Sequence, residues 1–381
     1  MAEAYIVGAV RTPVGRRNGG LSGINPVDLA AHTLTELMAR TGADPGAVDD
    51  VIMGCVSQIG PQSLDIARQA WLSAGLPEHV PGVTIDRQCG SSQQAVHFAA
   101  QAVLSGTQDL VVAAGVESMS MVPMGSSVAL AAEKGMPLPF GQGWKDRYGD
   151  QEISQFRGAQ LICEQWGFKR SQLEEFALES HRRAVRAIDE GRFESQIVPL
   201  DGFSQDEGPR RDTSLEKMAG LAPLRPDWEI TAAVSSQISD GAAALLIASE
   251  AALKRHGLTP LARVHTLTVV GSDPVLMLTG PIEATRKALA RAGMKAGDID
   301  VFEVNEAFAP VLLAWSEDTG ASLDRANPNG GAIALGHPLG ATGAILMTKL
   351  VHELRRTGGR FGLQTMCEGG GQANATIVER V

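Results

Sequence analysis

Cys89 lies in sequence surroundings that suit nucleophilic catalysis. It follows a predicted strand at 83–87 and precedes Gly90-Ser-Ser and a helical run over 93–104. At a strand-to-helix turn, free N–H groups and the positive end of the helix dipole stabilise a thiolate. We therefore expect the pKa of Cys89 to fall below its usual value of about 8.5. A cysteine is as often an inert buried residue, so position by itself leaves its role open.

His337 lies in the most unusual segment of the chain. Five glycines, at 330, 331, 336, 340 and 343, occur within fourteen residues around it, and an apolar helix is predicted over 344–354. This glycine content indicates a backbone that approaches another group closely. A turn-capping histidine is the alternative, but we favour a catalytic base or a donor to an oxyanion.

Two further segments place polar groups at strand ends. A strand predicted over 361–366 runs into Cys367-Glu-Gly369-Gly-Gly, a turn rich in backbone N–H groups. A thiol there can combine acid–base chemistry with oxyanion stabilisation, or it is incidental to a hairpin. Asn305 and Glu306 end another predicted strand, where they serve either a site or a helix cap.

Alternating strands and helices must position these groups. The apolar pattern predicts strands at 5–10 and 51–56 and helices at 26–41 and near 63–74, which is typical of a layered α/β fold. Between 121 and 231 the pattern gives way to Gly/Pro-rich and charged stretches around polar helices such as 171–191, which indicates an inserted lobe. For the helix that follows Cys89 we predict an apolar face made of Ala95, Phe98, Ala99, Ala102 and Val103.

The first and last thirds of the chain also resemble each other. Residues 39–49 align with 290–300, and each segment closes a helix with a glycine before entering a strand. Glycine-ended helices before strands look alike in any protein, but we favour a duplicated half. The active site would then lie where the two copies meet.

Composition restricts the classes of function. With 381 residues, 44% of them hydrophobic, the chain can form two domains or a fused pair. A net charge of −10 without a long basic run argues against nucleic-acid binding. The pattern offers no membrane helix, and the first residues indicate a strand instead of a signal peptide, so we expect a cytoplasmic protein. Neither the four scattered cysteines nor the other histidines have metal-ligand spacing.

Four motifs resemble, in the same order, those of the thiolase family: Arg87-Gln-Cys89-Gly-Ser-Ser, Asn305-Glu-Ala-Phe308, Asn329-Gly-Gly-Ala-Ile-Ala-Leu-Gly-His337-Pro and Cys367-x-Gly369. The resemblance covers nearly the whole chain. It implies the α/β thiolase fold, with two duplicated α/β halves in a layered αβαβα arrangement and an inserted loop domain. The N-terminal half would span 1–120, completed by about 232–265. The inserted CoA-binding loop domain would span 121–231, and the C-terminal half 266–381.

The resemblance also implies roles for single residues. Cys89 becomes the nucleophile that takes the acyl group, and His337 activates it. Cys367 protonates the departing acetyl-CoA enolate in thiolysis, or removes the α-proton of acetyl-CoA in condensation. Asn305 holds a water that forms one oxyanion hole with His337, while the N–H groups of Cys89 and Gly369 form the other.

Substrate contacts follow from the same resemblance. Ser236 matches a serine near the pantetheine arm, and Met277 and Phe308 match residues that line the pocket. No cofactor is implied beyond CoA as a substrate, and a homodimer or homotetramer is the expected assembly. Acyl-CoA and CoA are the expected binding partners.

Departures from the family pattern bear on the substrate. Phe156-Arg157 stands where short-chain biosynthetic thiolases have His-Met, and Glu368 replaces a small or apolar residue. The local amino-acid sequence around these motifs is most similar to that of actinobacterial thiolases of fatty-acid and steroid breakdown. We therefore expect thiolysis of a bulky or branched 3-ketoacyl-CoA to acetyl-CoA and a shortened acyl-CoA. The alternatives are a biosynthetic acetyl-CoA C-acetyltransferase and, from another class, a non-catalytic acyl-CoA or sterol-binding relative.

Overall fold

A computed structural model describes residues 2–381. Within this range the strands are β1 (Ala4–Arg11), β2 (Gly15–Arg16), β3 (Asp50–Gly54), β4 (Gly82–Ile85), β5 (Leu110–Ser118), β6 (Ser239–Ser249), β7 (Ala262–Gly271), β8 (Val301–Val304), β9 (Phe361–Glu368) and β10 (Gln372–Arg380). The α-helices are α1 (Pro26–Thr41), α2 (Ile66–Ser73), α3 (Ser91–Ser105), α4 (Ser126–Glu133), α5 (Gln142–Tyr148), α6 (Gln155–Trp166), α7 (Arg170–Asp189), α8 (Leu215–Ala219), α9 (Glu250–His256), α10 (Gly280–Ala292), α11 (Ala309–Thr319), α12 (Ala332–Leu335) and α13 (Leu339–Thr357).

The strands form two sets with the same pairing pattern. In the first, β1–β6 and β6–β5 are antiparallel, whereas β5–β3 and β3–β4 are parallel. In the second, β7–β10 and β10–β9 are antiparallel and β9–β8 is parallel. A short pairing of Tyr5 and Ile6 with Arg263 and Ala262 joins the two sets edge to edge.

The duplication predicted from the sequence is confirmed in these two sets. Helix α1 ends at Thr41, Gly42 takes a left-handed conformation, and the chain enters β3 through a 3-10 turn. Helix α10 ends at Ala292, Gly293 takes the same conformation, and the chain enters β8 through another 3-10 turn. Both segments therefore make the same helix-to-strand connection in equivalent halves.

Helices cover the sheets in layers, which confirms the αβαβα arrangement. α1 and α2 pack on the outer face of the first half, and α10 packs on the outer face of the second. α3 and α13 pack against each other and contact strands of both halves, so they form the central layer. Three large apolar clusters fill the spaces between these layers.

Residues 121–231 leave the layered part of the fold and form helices α4 to α8. Helices α6 and α7 of this lobe pack against α11 of the second half. Helices α4 and α5 contain no buried residue. No helix within residues 2–381 combines the length and the apolar character that crossing a membrane requires.

Helix α13 begins at Leu339, five residues before the predicted start at 344. Its first turns contain Gly340 and Gly343, which the sequence pattern assigns to a turn. A Cβ on Gly340 would stand 2.7 Å from the Cα of Cys55, and one on Gly343 would overlap the backbone N of Gln93. These glycines are therefore helical, and their lack of a side chain lets α13 lie directly on α3 and β3.

The predicted apolar face of α3 is partly wrong. Most of it is buried, but Phe98 is 41% exposed, while Gln93 and His97 are fully buried. Thr376 of β10 hydrogen-bonds both polar side chains, at 2.8 Å from Gln93 Nε2 and 2.7 Å from His97 Nε2. Because α3 lies in the central layer, its polar side is covered as well, and Phe98 faces outward.

A buried ion pair anchors α13 to the segment that precedes His337. Lys349 Nζ lies 2.9 Å from Glu303 Oε2 and donates to the carbonyl of Gly330 at 2.7 Å, and neither charged side chain is exposed. Removing one partner of a buried pair leaves the other charge without compensation.

We expect Lys349→Met to lower the free energy of unfolding by about 3–5 kcal/mol, measured by urea denaturation. The matched control is the double variant Lys349→Met/Glu303→Leu, which removes both charges and should recover most of the loss. Equal destabilisation in the single and double variants would argue against a charge-based effect.

Candidate active site

Cys89 lies in a tight turn between β4 and α3. The preceding residue, Gln88, has a φ of +49°, a conformation that non-glycine residues rarely adopt. Two bonds hold it: Asp86 Oδ1 accepts from the N–H of Gln88 at 2.6 Å, and Ser91 Oγ donates to its carbonyl at 2.6 Å. This turn sets the cysteine directly before the first residues of α3.

The expectation of a lowered pKa for Cys89 is wrong. Burial, and after it the nearby carboxyl of Glu368, raises the pKa of this thiol to about 12. The loss of hydration therefore has a larger effect on the pKa of Cys89 than the helix dipole has, because the thiol is poorly exposed and lies beside an acid. Cys89 rests as a thiol and needs a base when it reacts.

His337 lies in a buried hydrogen-bond network that fixes its tautomer. Thr342 Oγ1 donates to the carbonyl of Pro338 at 2.9 Å, so it accepts from His337 Nδ1–H at 2.7 Å. This network assigns the proton to Nδ1 and makes Nε2 an acceptor, toward which Asn305 Nδ2 donates a long hydrogen bond of 3.4 Å. Burial lowers the pKa of His337 to about 4, so the imidazole is neutral at physiological pH.

Glu117, at the end of β5, holds the segment that contains His337. Its carboxylate accepts from the N–H groups of Val56 at 2.9 Å, Ser57 at 3.0 Å and Gly340 at 2.9 Å. The first two belong to the N-terminal half and the third to the start of α13, so one carboxylate ties the halves together beside the site. The sequence analysis missed Glu117, whose only signal is an acidic residue at the end of an apolar strand.

Cys367 is buried near the end of β9. Burial raises its pKa, and the proximity of Cys89 raises it further, so the two thiols lie within electrostatic reach of one another. Gly369 packs on the Cys89 turn, because a Cβ at this position would stand 2.8 Å from Gln88 Oε1. The structure therefore brings Cys89, Cys367 and Gly369 to one place.

A cavity of about 560 Å³ opens beside His337, whereas Cys89, Cys367 and Gly369 are not among its lining residues. His337, Ser236 and Phe308 are among its lining residues. Phe156 also lines it, and its ring meets that of Phe308 edge-on with centroids 5.6 Å apart. Met277 is not part of this lining; it is buried against Gly158 of α6.

The cavity is basic at its rim. Arg16 and Arg17 from the N-terminal half and Arg210 from the lobe line it. The lobe sequence is not net basic, so its charge gave no sign of an anion site. The structure instead combines guanidinium groups from two distant segments, which favours an anionic ligand. Within residues 2–381 no cluster of three or more His, Cys, Asp or Glu side chains is arranged for a metal ion.

Similarity to known proteins identifies the family of this chain. The family models for the thiolase N-terminal domain and the thiolase C-terminal domain match residues 4–251 and 258–380. The chain belongs to the thiolase family. Among its relatives, the steroid 3-ketoacyl-CoA thiolase FadA6 of Mycobacterium tuberculosis is 57% identical over 387 residues, covering 100% of this chain and 95% of the relative. The β-ketoadipyl-CoA thiolase of Escherichia coli is 42% identical, with both chains fully covered.

Solved structures agree with this assignment. This thiolase matches human mitochondrial 3-ketoacyl-CoA thiolase, which is also known in complex with CoA, with a TM-score of 0.90 and 35% identity over 100% of this chain and 99% of the other. It matches the acetyl-CoA acetyltransferase of Bacillus anthracis with the same TM-score and coverage and 37% identity. The thiolase fold expected from the motifs is thereby confirmed.

We expect Thr342→Val to lower kcat roughly tenfold or more, because the imidazole loses the acceptor that fixes its tautomer. The loss should be smaller than that of His337→Ala, since deleting a general base typically costs about 10²–10⁴-fold. Thr348→Val on the same helix, whose hydroxyl bonds the carbonyl of Ala344 at 2.8 Å, is the control. Wild-type turnover by Thr342→Val in steady-state kinetics would refute this role.

Proposed function

We propose that this thiolase cleaves 3-ketoacyl-CoA with CoA, through an acyl group carried on Cys89, to give acetyl-CoA and a shortened acyl-CoA. The observation that supports this most directly is the proximity of the Cys89 and Cys367 thiols, together with the neutral imidazole of His337 directly before the helix that packs on α3. His337 also lines a cavity to which three arginines contribute, Arg16, Arg17 and Arg210. These are the groups that a reversible acyl transfer between thiols requires.

In the first half-reaction, His337 Nε2 takes the proton of Cys89 as the sulfur attacks the 3-keto carbon of the substrate. The bond between C2 and C3 then breaks, and the electron pair stays with the acetyl-CoA fragment as an enolate. The thiol of Cys367 protonates that carbon. Acetyl-CoA leaves, and the acyl group remains as a thioester on Cys89.

In the second half-reaction, the thiolate of Cys367 takes the proton of incoming CoA. The CoA sulfur attacks the acyl thioester and releases Cys89, which regains its proton from the imidazolium of His337. Both thiols and the imidazole return to their starting states, so the cycle balances without an external acid or base. Ping-pong kinetics follow from this scheme.

Two oxyanion holes complete the proposal. Asn305 is fully buried, and its Oδ1 finds no hydrogen-bond partner within residues 2–381. This supports a role in orienting a water that acts together with His337. The backbone N–H groups of Cys89 and Gly369 form the second hole, and donors of this kind each contribute roughly 3–4 kcal/mol to transition-state stabilisation.

For CoA, we propose that Ser236 lies near the pantetheine arm and that Arg210 contacts its phosphates. Both residues line the cavity. The lobe at 121–231 would then be the CoA-binding loop domain inserted between 1–120 and 232–265, with 266–381 as the second half. We further propose the cytoplasm as the location, because the reaction needs free thiols and a reducing compartment preserves them.

For the acyl group, we propose a bulky or branched chain instead of acetoacetyl. Phe156 forms a wall of the cavity together with Phe308, whereas Arg157 donates to the carbonyl of Glu152 at 2.7 Å and is not part of the lining. The 57% identical relative is named for steroid 3-ketoacyl-CoA. That similarity favours degradation over condensation.

We expect Cys89→Ala to abolish CoA-dependent loss of 3-ketoacyl-CoA and the acyl adduct detected by mass spectrometry. Cys367→Ala should abolish C–C cleavage but only slow the exchange of an acyl group between acyl-CoA and CoA, because that exchange forms no carbanion and needs Cys367 only to carry the proton of CoA. Cys163→Ala, a buried thiol in the lobe, is the control. Carbon–carbon cleavage by Cys89→Ala would refute the covalent scheme.

With the wild-type enzyme, a higher kcat/KM for acetoacetyl-CoA than for every ring-bearing or branched substrate would refute the substrate proposal.

We propose a homo-oligomer built on two apolar surfaces. Strand β4 ends the sheet and pairs only with β3, while its Val83 and the neighbouring Phe98 are 42% and 41% exposed. An exposed apolar edge strand is a template for pairing with a second chain. The second surface lies on the lobe, between residues 124 and 140. Its apolar side chains are exposed by 39–61%: Met124, Val128, Leu130, Met136, Leu138 and Phe140. One surface suits a dimer, and both together suit a tetramer.

We expect Val83→Lys to yield chains that do not dimerise, because a lysine at an edge strand blocks pairing. Leu130→Asp/Leu138→Asp should reduce a tetramer to a dimer. Leu221→Asp, a change at a 42% exposed leucine outside both surfaces, is the control. Sedimentation velocity distinguishes these states, and an assembly unaffected by either change would exclude that surface.

A further inference from the structure

A group of buried polar atoms lies behind the nucleophile turn without hydrogen bonds. Within residues 2–381, both carboxyl oxygens of Glu368, Oδ1 of Asn374 and Nε of Arg87 find no partner. Glu368 and Asn374 are fully buried. A buried carboxylate without hydrogen bonds is costly, so Glu368 requires either a donor or a proton of its own.

The geometry favours a protonated carboxyl group on Glu368. Glu368 Oε1 and Asn374 Oδ1 both crowd the point where a Cβ on Gly90 would stand, the latter at 2.6 Å. The Asn374 Nδ2 group donates to Gln94 Oε1 at 3.4 Å, which leaves its oxygen at Gly90, where Glu368 Oε1 also lies. Two acceptor oxygens in one small space repel unless one of them carries a hydrogen.

We propose that Glu368 is a neutral carboxylic acid that donates its proton to Asn374, and that this proton keeps negative charge away from Cys89 and Cys367 during turnover. Glu368 is thus a positioning residue that acts on the two thiols and does not touch substrate. The inference rests on the proposed thiolysis for its catalytic consequence.

The electrostatics agree with this geometry. Burial raises the pKa of Glu368 to about 8, opposed by the positive charge of Arg87 and by the backbone N–H of Asn374, which lies outside hydrogen-bond geometry. Arg87 is the charged group that faces Glu368 from the turn, and it donates at 2.7 Å to the neutral amide of Gln372 on β10. Charge on Glu368 raises the pKa of both Cys89 and Cys367. Ionisation of Glu368 therefore makes each thiolate harder to form.

The consequence is a loss of activity on the alkaline side. Below its pKa of about 8, Glu368 is neutral and the thiols feel no neighbouring anion. As pH rises through that value, Glu368 loses its proton and opposes the negative charge that develops on the sulfur and on the oxyanion. Thiolysis by the wild-type enzyme should then decline.

Glu368→Gln tests this, because the amide keeps the shape and the donor but never ionises. Its thiolysis should persist where the wild-type rate declines. Alkylation of Cys89 by iodoacetamide at alkaline pH should be faster in the variant by up to about tenfold, the change that one pKa unit produces. The infrared difference between wild type and variant should show the C=O band of a protonated carboxyl group at neutral pH, lost as pH is raised. Glu379→Gln, on the same strand as Asn374 and paired with Arg263, is the control and should match wild type.

Identical pH dependence of alkylation in Glu368→Gln and wild type, or no carboxylic-acid band, would overturn the inference. If Glu368→Gln does not fold, Asn374→Leu carries the test, because loss of the acceptor must shift the infrared band and an unshifted band contradicts the pairing. The infrared and alkylation measurements need no turnover. A failure of the proposed thiolysis is therefore recognised separately, as absence of product while both signatures persist.

Discussion

The direct contact between the starts of α3 and α13 is the constraint on which the site depends. Cys89 precedes one helix and His337 precedes the other, so the distance between thiol and imidazole is set by how closely these helices approach. Glycines at 340 and 343 remove the side chains that would hold them apart, and Ser92 Oγ accepts from the N–H of Ala344 at 2.8 Å across the contact. A single added methyl group there would force the catalytic pair apart.

A second property of the site is that its two thiols and its imidazole are uncharged at rest. Burial raises the pKa of both catalytic thiols and lowers that of His337, so no member of the set is charged in the resting enzyme. Charge then arises only during reaction, when the proton of Cys89 moves to the imidazole. A dry, preorganised environment of this kind stabilises developing charge without reorganising solvent.

Much of this architecture could be predicted from the sequence, because it rests on local signals. Glycine-ended helices before strands revealed the duplication, and ordered motifs identified the family. The failures have one cause, which is burial created by distant elements. The pKa of Cys89, the exposure of Phe98 and the early start of α13 depend on what packs against them. The role of Glu117 likewise exists only because Val56 and Gly340 are brought to the same carboxylate.

The duplicated halves have a consequence for the origin of the chemistry. Helix α3 leads into β5 as α13 leads into β9, so the nucleophile and the base stand before equivalent helices of the two copies. An ancestor made of two identical half-length chains would have had to place the same residue before both helices. Joining the two halves in one chain removes that requirement, so a cysteine can precede one helix while a histidine precedes the other.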